Sequence, residues 1–400
     1  MIIILGGKVL TMEGQTWEKG YICIENGKIR DLGPMKEGAP FPLPERAGLK
    51  VISAIGCTVM PGLIEAHCHM GITEEKKGME GDDCNETVNP ITPYLRAIDA
   101  INPMDAAFDD AVRAGITSAM IGPGSANVVG GTFAFVKTHG RNIDNLIVKN
   151  PAAMKVAFGE NPKVNYGQQQ KSPATRMSIA AMLREELFKA AAYYEKKKAG
   201  MERQDEDFRY ECWIPVFAGE IPLKAHVHRA DDILTAVRIA KEFGLSLTLD
   251  HCSEGHLIAE EVKRSGAPAI VGPDLASRNK IEVQNMAFKT VGILNEAGVK
   301  TAITTDHPVS LIQSLPICAG LAVKSGLKEE EALKSITIYP AQICRVDERV
   351  GSLKAGKDAD IVIFNGNPLS IETRALCTII DGEVAYRDKS FALPTDGKRV

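Results

Sequence analysis

Several features that would narrow a function early are missing from this chain. It has no run of about 18 apolar residues, so no membrane-spanning helix is expected. It has no strong excess of either charge. Against 47 Lys and Arg stand 51 Asp and Glu, a net charge of -4, which leaves no electrostatic footprint for nucleic acid or for an anionic membrane. Its 9 cysteines are odd in number and lack CxxC spacing. They read as reduced thiols, several of them buried, in a cytoplasmic protein. The opening Met1-Ile2-Ile3-Ile4-Leu5 is too short for a signal-peptide core and has no basic residue before it, so it reads as a first β-strand. The glycine-rich stretch 122–131 has neither GxGxxG nor Walker spacing and is not a phosphate cradle; it can offer backbone N–H groups to a substrate or form a tight turn. No internal repeat is present. What remains is the composition of an ordinary soluble globular protein, 44% apolar and 24% charged. Its 400 residues call for one large unit plus a second module.

The texture of the chain changes twice. Residues 1–56 and 346–400 read as short strands rich in Ile and Val. Asn26-Gly27 and Asp381-Gly382 fall between apolar alternations, a strong hairpin signal. Two β segments at opposite ends are expected to pair as one small sheet module. Between them strand and helix alternate. Strands are predicted at 57–64, 116–121, 132–137, 152–158, 224–228, 245–250, 268–271 and 299–304. Amphipathic helices are predicted at 103–114, 174–198, 230–243, 256–265, 281–297 and 310–325. Buried strands alternating with helices imply a parallel sheet, and about eight such units fit an α/β fold of the (β/α)8 TIM-barrel type. Residues 71–102 and 161–172 are long polar loops of the kind that carries function. The charge run 194–209 reads as a solvated helix end and loop.

His67-Cys68-His69 closes the first of the barrel strands. Side chains alternate faces along a strand, so the two imidazoles project together while Cys68 turns into the core. Neutral imidazole is the commonest protein ligand for divalent metals. Other polar residues close later strands: His226 and His228 in Lys224-Ala225-His226-Val227-His228, His251 after Asp250, Asp306 after Thr305, and Glu160 after Gly159, with Lys155 mid-strand. All strand C-termini of a barrel open on one mouth. His67, His69, His226, His251 and Asp306 are therefore expected to form a ring of nitrogen and oxygen ligands. Such a ring suits zinc, with iron, manganese or cobalt as competitors. A metal lowers the pKa of its bound water from ~15.7 to ~7, and Asp306 is the candidate base that takes the proton as hydroxide attacks a carbonyl. Each residue also has a plainer role. His251 can be a hydrogen-bonded strand end, and Asp306 can cap a helix with Pro308 in its first turn. His307 is expected beside the site, and His139 and His256 away from it.

At this point the chain resembles the amidohydrolase superfamily of metal-dependent hydrolases. The resemblance rests on Pro61-Gly62-Leu63-Ile64-Glu65-Ala66-His67-Cys68-His69, on His226, His251 and Asp306 after later strands, and on Gly351-Ser352-Leu353-Lys354-Ala355-Gly356-Lys357-Asp358-Ala359-Asp360-Ile361-Val362. Within the superfamily it is similar to the imidazolonepropionase-like or prolidase-like branch. The resemblance implies a barrel over 57–345 and a composite β-sandwich over 1–56 and 346–400. It implies that His67, His69 and Asp306 hold one metal and that His226 and His251 hold a second, with a carboxylate from strand four between them. Glu160 is a ready carboxylate and is preferred because it needs no added CO2. Lys155 stands where relatives carry a carboxylated lysine. The two differ in strand parity, so at most one points inward unless the strand bulges. His228 is expected to face the substrate and polarise its carbonyl. Arg176, with Tyr166, is a candidate for binding a substrate carboxylate, against the plainer role of a surface salt bridge. The implied activity is hydrolysis of an amide, peptide-like or cyclic-amide C–N bond of a small molecule. The alternatives are a mononuclear deaminase or imidazolonepropionase-type ring hydrolase, and a catalytically silent barrel used for binding or assembly. The expected partner is a small-molecule substrate, with no nucleic acid and no membrane. Exposed barrel helices leave a homo-oligomer open.

Overall fold

The computed structural model describes residues 1–36, 41–44, 47–75, 78–200 and 206–391; residues 201–205 of the charge run lie outside them. Among the described residues, strands β1 (Ile2–Leu10), β2 (Thr16–Glu25), β3 (Lys28–Pro34), β4 (Lys50–Ser53) and β5 (Thr58–Pro61) begin one sheet. Strands β6 (Leu63–Cys68), β7 (Ile116–Ile121), β8 (Val129–Lys137), β9 (Ile147–Ala157), β10 (Leu223–Val227), β11 (Leu247–His251), β12 (Ala269–Val271) and β13 (Thr301–Ile303) form a second. Strands β14 (Ile361–Phe364), β15 (Ala375–Ile380) and β16 (Glu383–Arg387) return to the first.

The first sheet joins the two ends of the chain. β5 pairs antiparallel with β14, from Pro61 opposite Ile361 to Thr58 opposite Phe364. Its core is made of β-branched side chains, among them Ile4, Ile22, Ile24, Val59, Ile361 and Ile379. Both predicted hairpins form, with φ of 52° and 76° at Asn26-Gly27 and 49° and 77° at Asp381-Gly382, the left-handed pair that a tight hairpin turn demands. Their tips meet. A Cβ on Gly382 would lie 2.9 Å from Gly27 Cα, so bare glycine backbone is what lets the two ends of the chain touch.

The strand predicted at 57–64 is two strands. Its first half, β5, belongs to the terminal sheet, and the barrel begins only with β6. The break falls at Gly62, where a Cβ would stand 2.1 Å from Thr117 Oγ1, so the chain turns there against β7 with no side chain in the way.

The barrel sheet runs in order from β6 to β13. The parallel-sheet expectation fails at one strand: β8 is antiparallel to both β7 and β9. Residues 122–128 reverse the chain directly, with no helix between β7 and β8. The remaining strands pair in parallel, and helices such as Arg176–Lys198, Ala230–Glu242, Lys289–Glu296 and Leu315–Lys324 follow the strands. Helix Arg176–Lys198 starts where Thr175 accepts a capping bond from the Ser178 N–H at 3.1 Å, and it buries Ile179, Leu183, Leu187 and Ala190 at helical spacing. Strand residues alternate between two cores. Leu223, Ala225 and Val227 face the helix layer. Ile64, Ala66, Phe133, Phe135, Ala153, Ile270 and Ala302 plug the interior, with Ala341, Ile343 and Val350 among the residues packed against them. The plug fills one end of the barrel and leaves the strand C-termini free to carry polar groups.

Candidate metal centre

The residues that meet at the barrel mouth are brought there by three local devices. On β10, Lys224, His226 and His228 alternate with the outward-facing Leu223, Ala225 and Val227, so plain strand parity turns them inward. On β6, the register against β7 slips between Glu65 and Cys68, and both His67 and His69 reach the same carboxylate. At β11 and after β13 the backbone bends. His251 has φ +69°, Cys252 φ +47° and Asp306 φ +51°. Thr248 and Asp250 share one face, so parity alone would aim His251 away; the left-handed turn brings it in. Each such non-glycine turn costs about 1–3 kcal/mol, and this strain sits at the candidate ligands.

The resulting cluster is compact and buried. Ring centroids of His67 lie 5.3 Å from His69 and 5.0 Å from His251. His226 is 4.5 Å from His251 and 4.7 Å from His228, and His228 stacks on His251 at 4.7 Å. Asp306 Oδ1 stands 3.2 Å from His69 Nε2 and 3.5 Å from His67 Nε2. Two groups have the geometry of an ion site, His67 with His251 and Asp306, and His226 with His228 and His251, the ligand atoms of each lying within 4.8 Å of one another. His228, expected to face the substrate, therefore also has ligand geometry.

The residues fit a divalent ion. His67 Nε2, His226 Nδ1, His251 Nε2, Asp306 Oδ1 and Lys155 Nζ are buried polar atoms without a hydrogen-bond partner, a condition proteins rarely leave uncompensated. The opposite edges of the rings are held. His69 Nδ1 donates to Gly122 O at 2.7 Å and His251 Nδ1 to Gly272 O at 2.9 Å, which turns each Nε2 toward the cluster. Asn161 Nδ2 lies 3.3 Å from His226 Nε2, and His228 Nδ1 is 2.8 Å from Ser253 Oγ. Asp306 is fixed through Thr304 and Glu65. Its N–H donates to Thr304 Oγ1 at 3.0 Å, and Thr304 Oγ1 donates to Glu65 Oε1 at 2.5 Å. Glu65 Oε2 accepts from the N–H and hydroxyl of Thr305, at 2.9 and 2.7 Å, which ties β6 to the chain leaving β13 and closes the barrel.

Electrostatics favour the ligand form of most of these groups. Burial pushes His67, His226 and His251 well below the usual imidazole range and His228 to about 4, so all four are neutral at pH 7. His69 goes the other way. Burial lowers it, but contact with Cys84 and the carboxylate of Asp306 together raise it to about 10. Burial brings Lys155 down to about 8.

Not every sequence-predicted residue joins the cluster. Glu160 begins helix Glu160–Gln168, its N–H donates to Glu282 Oε2 at 2.9 Å, and its carboxylate is in neither ligand group. The strand ends at Ala157 and Gly159 turns the chain at φ +80° before Glu160, whereas on the strand itself Met154 and Val156 face the helix layer and Lys155, between them, is wholly buried on the inner face, 5.6 Å above the Phe133 ring. Tyr166 is buried, with its hydroxyl on Asn127 Oδ1 at 2.6 Å. Arg176 pairs with Asp232 at 3.0 Å in a cleft of about 330 Å³ among Phe158, Gly159, Arg184 and Thr235, on the helix side of the barrel. Neither makes a hydrogen bond or ion pair to the histidines. Cys68 lies in the outer core. His307 sits beside the site, its Nδ1 accepting from the Ile312 N–H at 3.2 Å. The 122–131 stretch contributes a carbonyl to the centre, that of Gly122. Lys224, Asp250, Ser253, Asn161, Glu282 and Cys84 were not anticipated at the site. Of these only Lys224 carried a sequence signal, standing two residues before His226.

The profile of the amidohydrolase family matches residues 215–392. The chain is similar over its whole length to the crystal structure of an amidohydrolase from Thermotoga maritima MSB8, at 35% identity and a TM-score of 0.91, covering 97% of this chain and 100% of that one. It is 28% identical to amidohydrolase tasK of Hapsidospora irregularis over 94% of this chain, which spans only 41% of tasK. It is 22% identical to a 5-methylthioadenosine/S-adenosylhomocysteine deaminase of Symbiobacterium thermophilum over 97% of this chain and 94% of the deaminase. Among the described residues no helix is long and apolar enough to cross a membrane. The chain belongs to the amidohydrolase family, hydrolases acting on carbon–nitrogen bonds.

Proposed function

We propose that this chain hydrolyses an amide, peptide-like or cyclic-amide bond of a small molecule at a centre of two divalent metals, zinc first, with iron, manganese and cobalt as competitors. The observation that carries the reading is the set of buried, unpartnered ligand atoms on His67, His226, His251, Asp306 and Lys155, converging from five strands on one mouth. An ion held there would supply an activated water at neutral pH. Asp306 would take a proton from the attacking water and pass it to the leaving nitrogen. His228 is neutral; with Nδ1 accepting from the Ser253 hydroxyl, its Nε2–H is free to donate to the carbonyl oxygen of the substrate. We place Lys155, rather than Glu160, between the metals. A pKa near 8 leaves part of it as free amine at neutral pH. Reaction of that amine with CO2 gives a carbamate and releases a proton, which turns an unpartnered buried nitrogen into an anionic ligand. Nine unpaired cysteines support a reducing, cytoplasmic setting.

A second reading, a mononuclear deaminase or ring hydrolase, draws on the group of His67, His251 and Asp306, which suffices for one ion. Counting metals per chain separates the two. The expected result is two per wild-type chain, two in Glu160→Gln, and one or none in Lys155→Met, with turnover of a panel of amides, dipeptides, lactams and heterocycles lost on chelation. One metal per wild-type chain, unchanged in Lys155→Met, favours the second reading.

A further inference from the structure

The end of the barrel opposite the metal centre carries a cavity of its own. It measures about 910 Å³ and lies where β10, β11, β12 and β13 begin, with Pro222, Leu247, Pro268 and Lys300 in its wall. Ile343, which packs on the barrel plug, is part of the same wall. A cavity of this size takes a small molecule. Its lining is strongly basic. Lys241, Lys263, Arg264, Lys300 and Arg345 face one acid, Glu261, among the described residues. Glu261 Oε1 is used by Arg264 Nη2 at 2.8 Å, and among the described residues no carboxylate pairs with the other four cations. In a chain of net charge -4 this excess is local.

Cations in the last turn of a helix offset its dipole. That accounts for Lys241 in helix Ala230–Glu242 and for Lys263 and Arg264 in helix Ala259–Ser265. It does not account for Lys300, which leads into β13. Nor does it explain why Lys263 and Lys300 converge. A Cβ on Gly298 would lie 3.6 Å from Lys263 Cε and Nζ, so that ammonium rests beside the chain two residues before Lys300. Arg345 adds a third charge. It follows helix Ile338–Ile343 in a left-handed backbone, φ +59°, which is uncommon for a residue with a Cβ. Its Nη1 donates to Gly219 O at 2.6 Å and its Nη2 to Ser246 Oγ at 2.9 Å. Both acceptors are neutral, so the guanidinium is held in place with its charge uncompensated. Guanidinium and ammonium groups gathered without a carboxylate suit a phosphate ligand. We propose that this cavity binds a small molecule carrying a diphosphate, at a site apart from the metal centre. The diphosphate lies among Lys263, Lys300 and Arg345, and the body of the molecule lies against Leu234, Val237 and Leu245 on the apolar side of the cavity. A nucleoside diphosphate and an isoprenoid diphosphate share this chemistry.

The site does not rest on the metal-centre reading, and failure of either leaves the other standing. Adenosine diphosphate, geranyl diphosphate and inorganic pyrophosphate are titrated calorimetrically into wild-type protein, Lys263→Glu, Lys300→Glu, the double variant Lys263→Ala/Lys300→Ala, and Lys324→Glu. Lys324, at the end of helix Leu315–Lys324, lies outside the cavity and is the control. Circular dichroism reports the fold of each. The site requires at least one of the two esters to bind wild type and Lys324→Glu alike, and more tightly than pyrophosphate does. It requires that binding to weaken about 10-fold or more in each of Lys263→Glu and Lys300→Glu. The ester that binds identifies the source of the diphosphate. Absence of binding by both esters at millimolar concentration overturns the site, as does pyrophosphate binding as tightly as both. Binding that is unchanged in the folded charge-reversal variants also overturns it, because the diphosphate then sits elsewhere, the metals at the barrel mouth included. Should the charge reversals not fold, the double alanine variant is read by the same criterion.

Discussion

Asp306 is the residue on which the most depends. It closes a strand, adopts a left-handed backbone, and presents Oδ1 to two imidazoles while its N–H is tied to Thr304. Asp306→Asn keeps the shape and removes the charge and the basicity. Turnover is expected to fall about 100- to 10,000-fold, the usual worth of a positioned base, while the imidazoles still retain metal. Side-by-side kcat and metal content check this, and a near-normal kcat would mean that the base lies elsewhere. The candidate ligands were legible because a polar residue ending an apolar strand stands out. His251 was legible as a type, but not the left-handed turn that aims it. The contact of Asp250 with Lys224 was invisible, since no single-strand pattern reports a cross-strand contact. Glu160 lies past the strand, as the first residue of a helix that follows Gly159 at φ +80°, a turn that no strand pattern reports.

At the level of elements, alternation of strand and helix was readable, and strand direction was not. The stretch 122–131 lacks helical periodicity, which is compatible with a direct reversal into β8, yet apolar strands look alike in either direction. The reversal nevertheless matters to the site, because it delivers the Gly122 carbonyl to His69. Gly272 plays the matching part for His251. It has φ +127°, and a Cβ there would lie 2.3 Å from Thr304 O. Gly272→Ala must push the end of β12 away from the chain leaving β13, disturbing both the carbonyl that holds His251 and the threonine that holds Asp306. It is expected to cost at least ~1 kcal/mol in urea unfolding and to weaken zinc binding. Gly266 is the control. It also has positive φ, +73°, but nothing lies within 4 Å of its would-be Cβ. Gly266→Ala should lose stability through backbone strain alone and leave zinc affinity intact. Equal zinc affinity in both variants would show that the Gly272 contact does not shape the site.

Across the whole molecule, one buried lysine ties the barrel to the terminal sheet by charge. Lys137, on the antiparallel strand β8, places Nζ 2.7 Å from Asp360, 3.0 Å from Asp358 and 3.0 Å from Asp381. Lys28 and Arg349 also pair with Asp358, so segments from the start, middle and end of the chain share one charge cluster. The Asp-Ala-Asp of 358–360 was part of the family resemblance, but its partner lies more than 200 residues earlier, on the strand whose direction the sequence did not reveal. Lys137 is 2% exposed and Asp358 and Asp360 are 2% and 4% exposed, so solvent cannot replace a lost ammonium. Lys137→Met leaves two buried carboxylates and the half-exposed Asp381 short of a counter-charge, and removing one partner of a buried pair typically costs about 3–5 kcal/mol. The loss should appear as a lower urea midpoint for the whole chain, because the same lysine also anchors β8, the strand that carries Phe133 beneath His67. A stability within ~0.5 kcal/mol of wild type, the usual range for a surface substitution, would mean that the two units are held together by the β5–β6 connection and apolar packing alone.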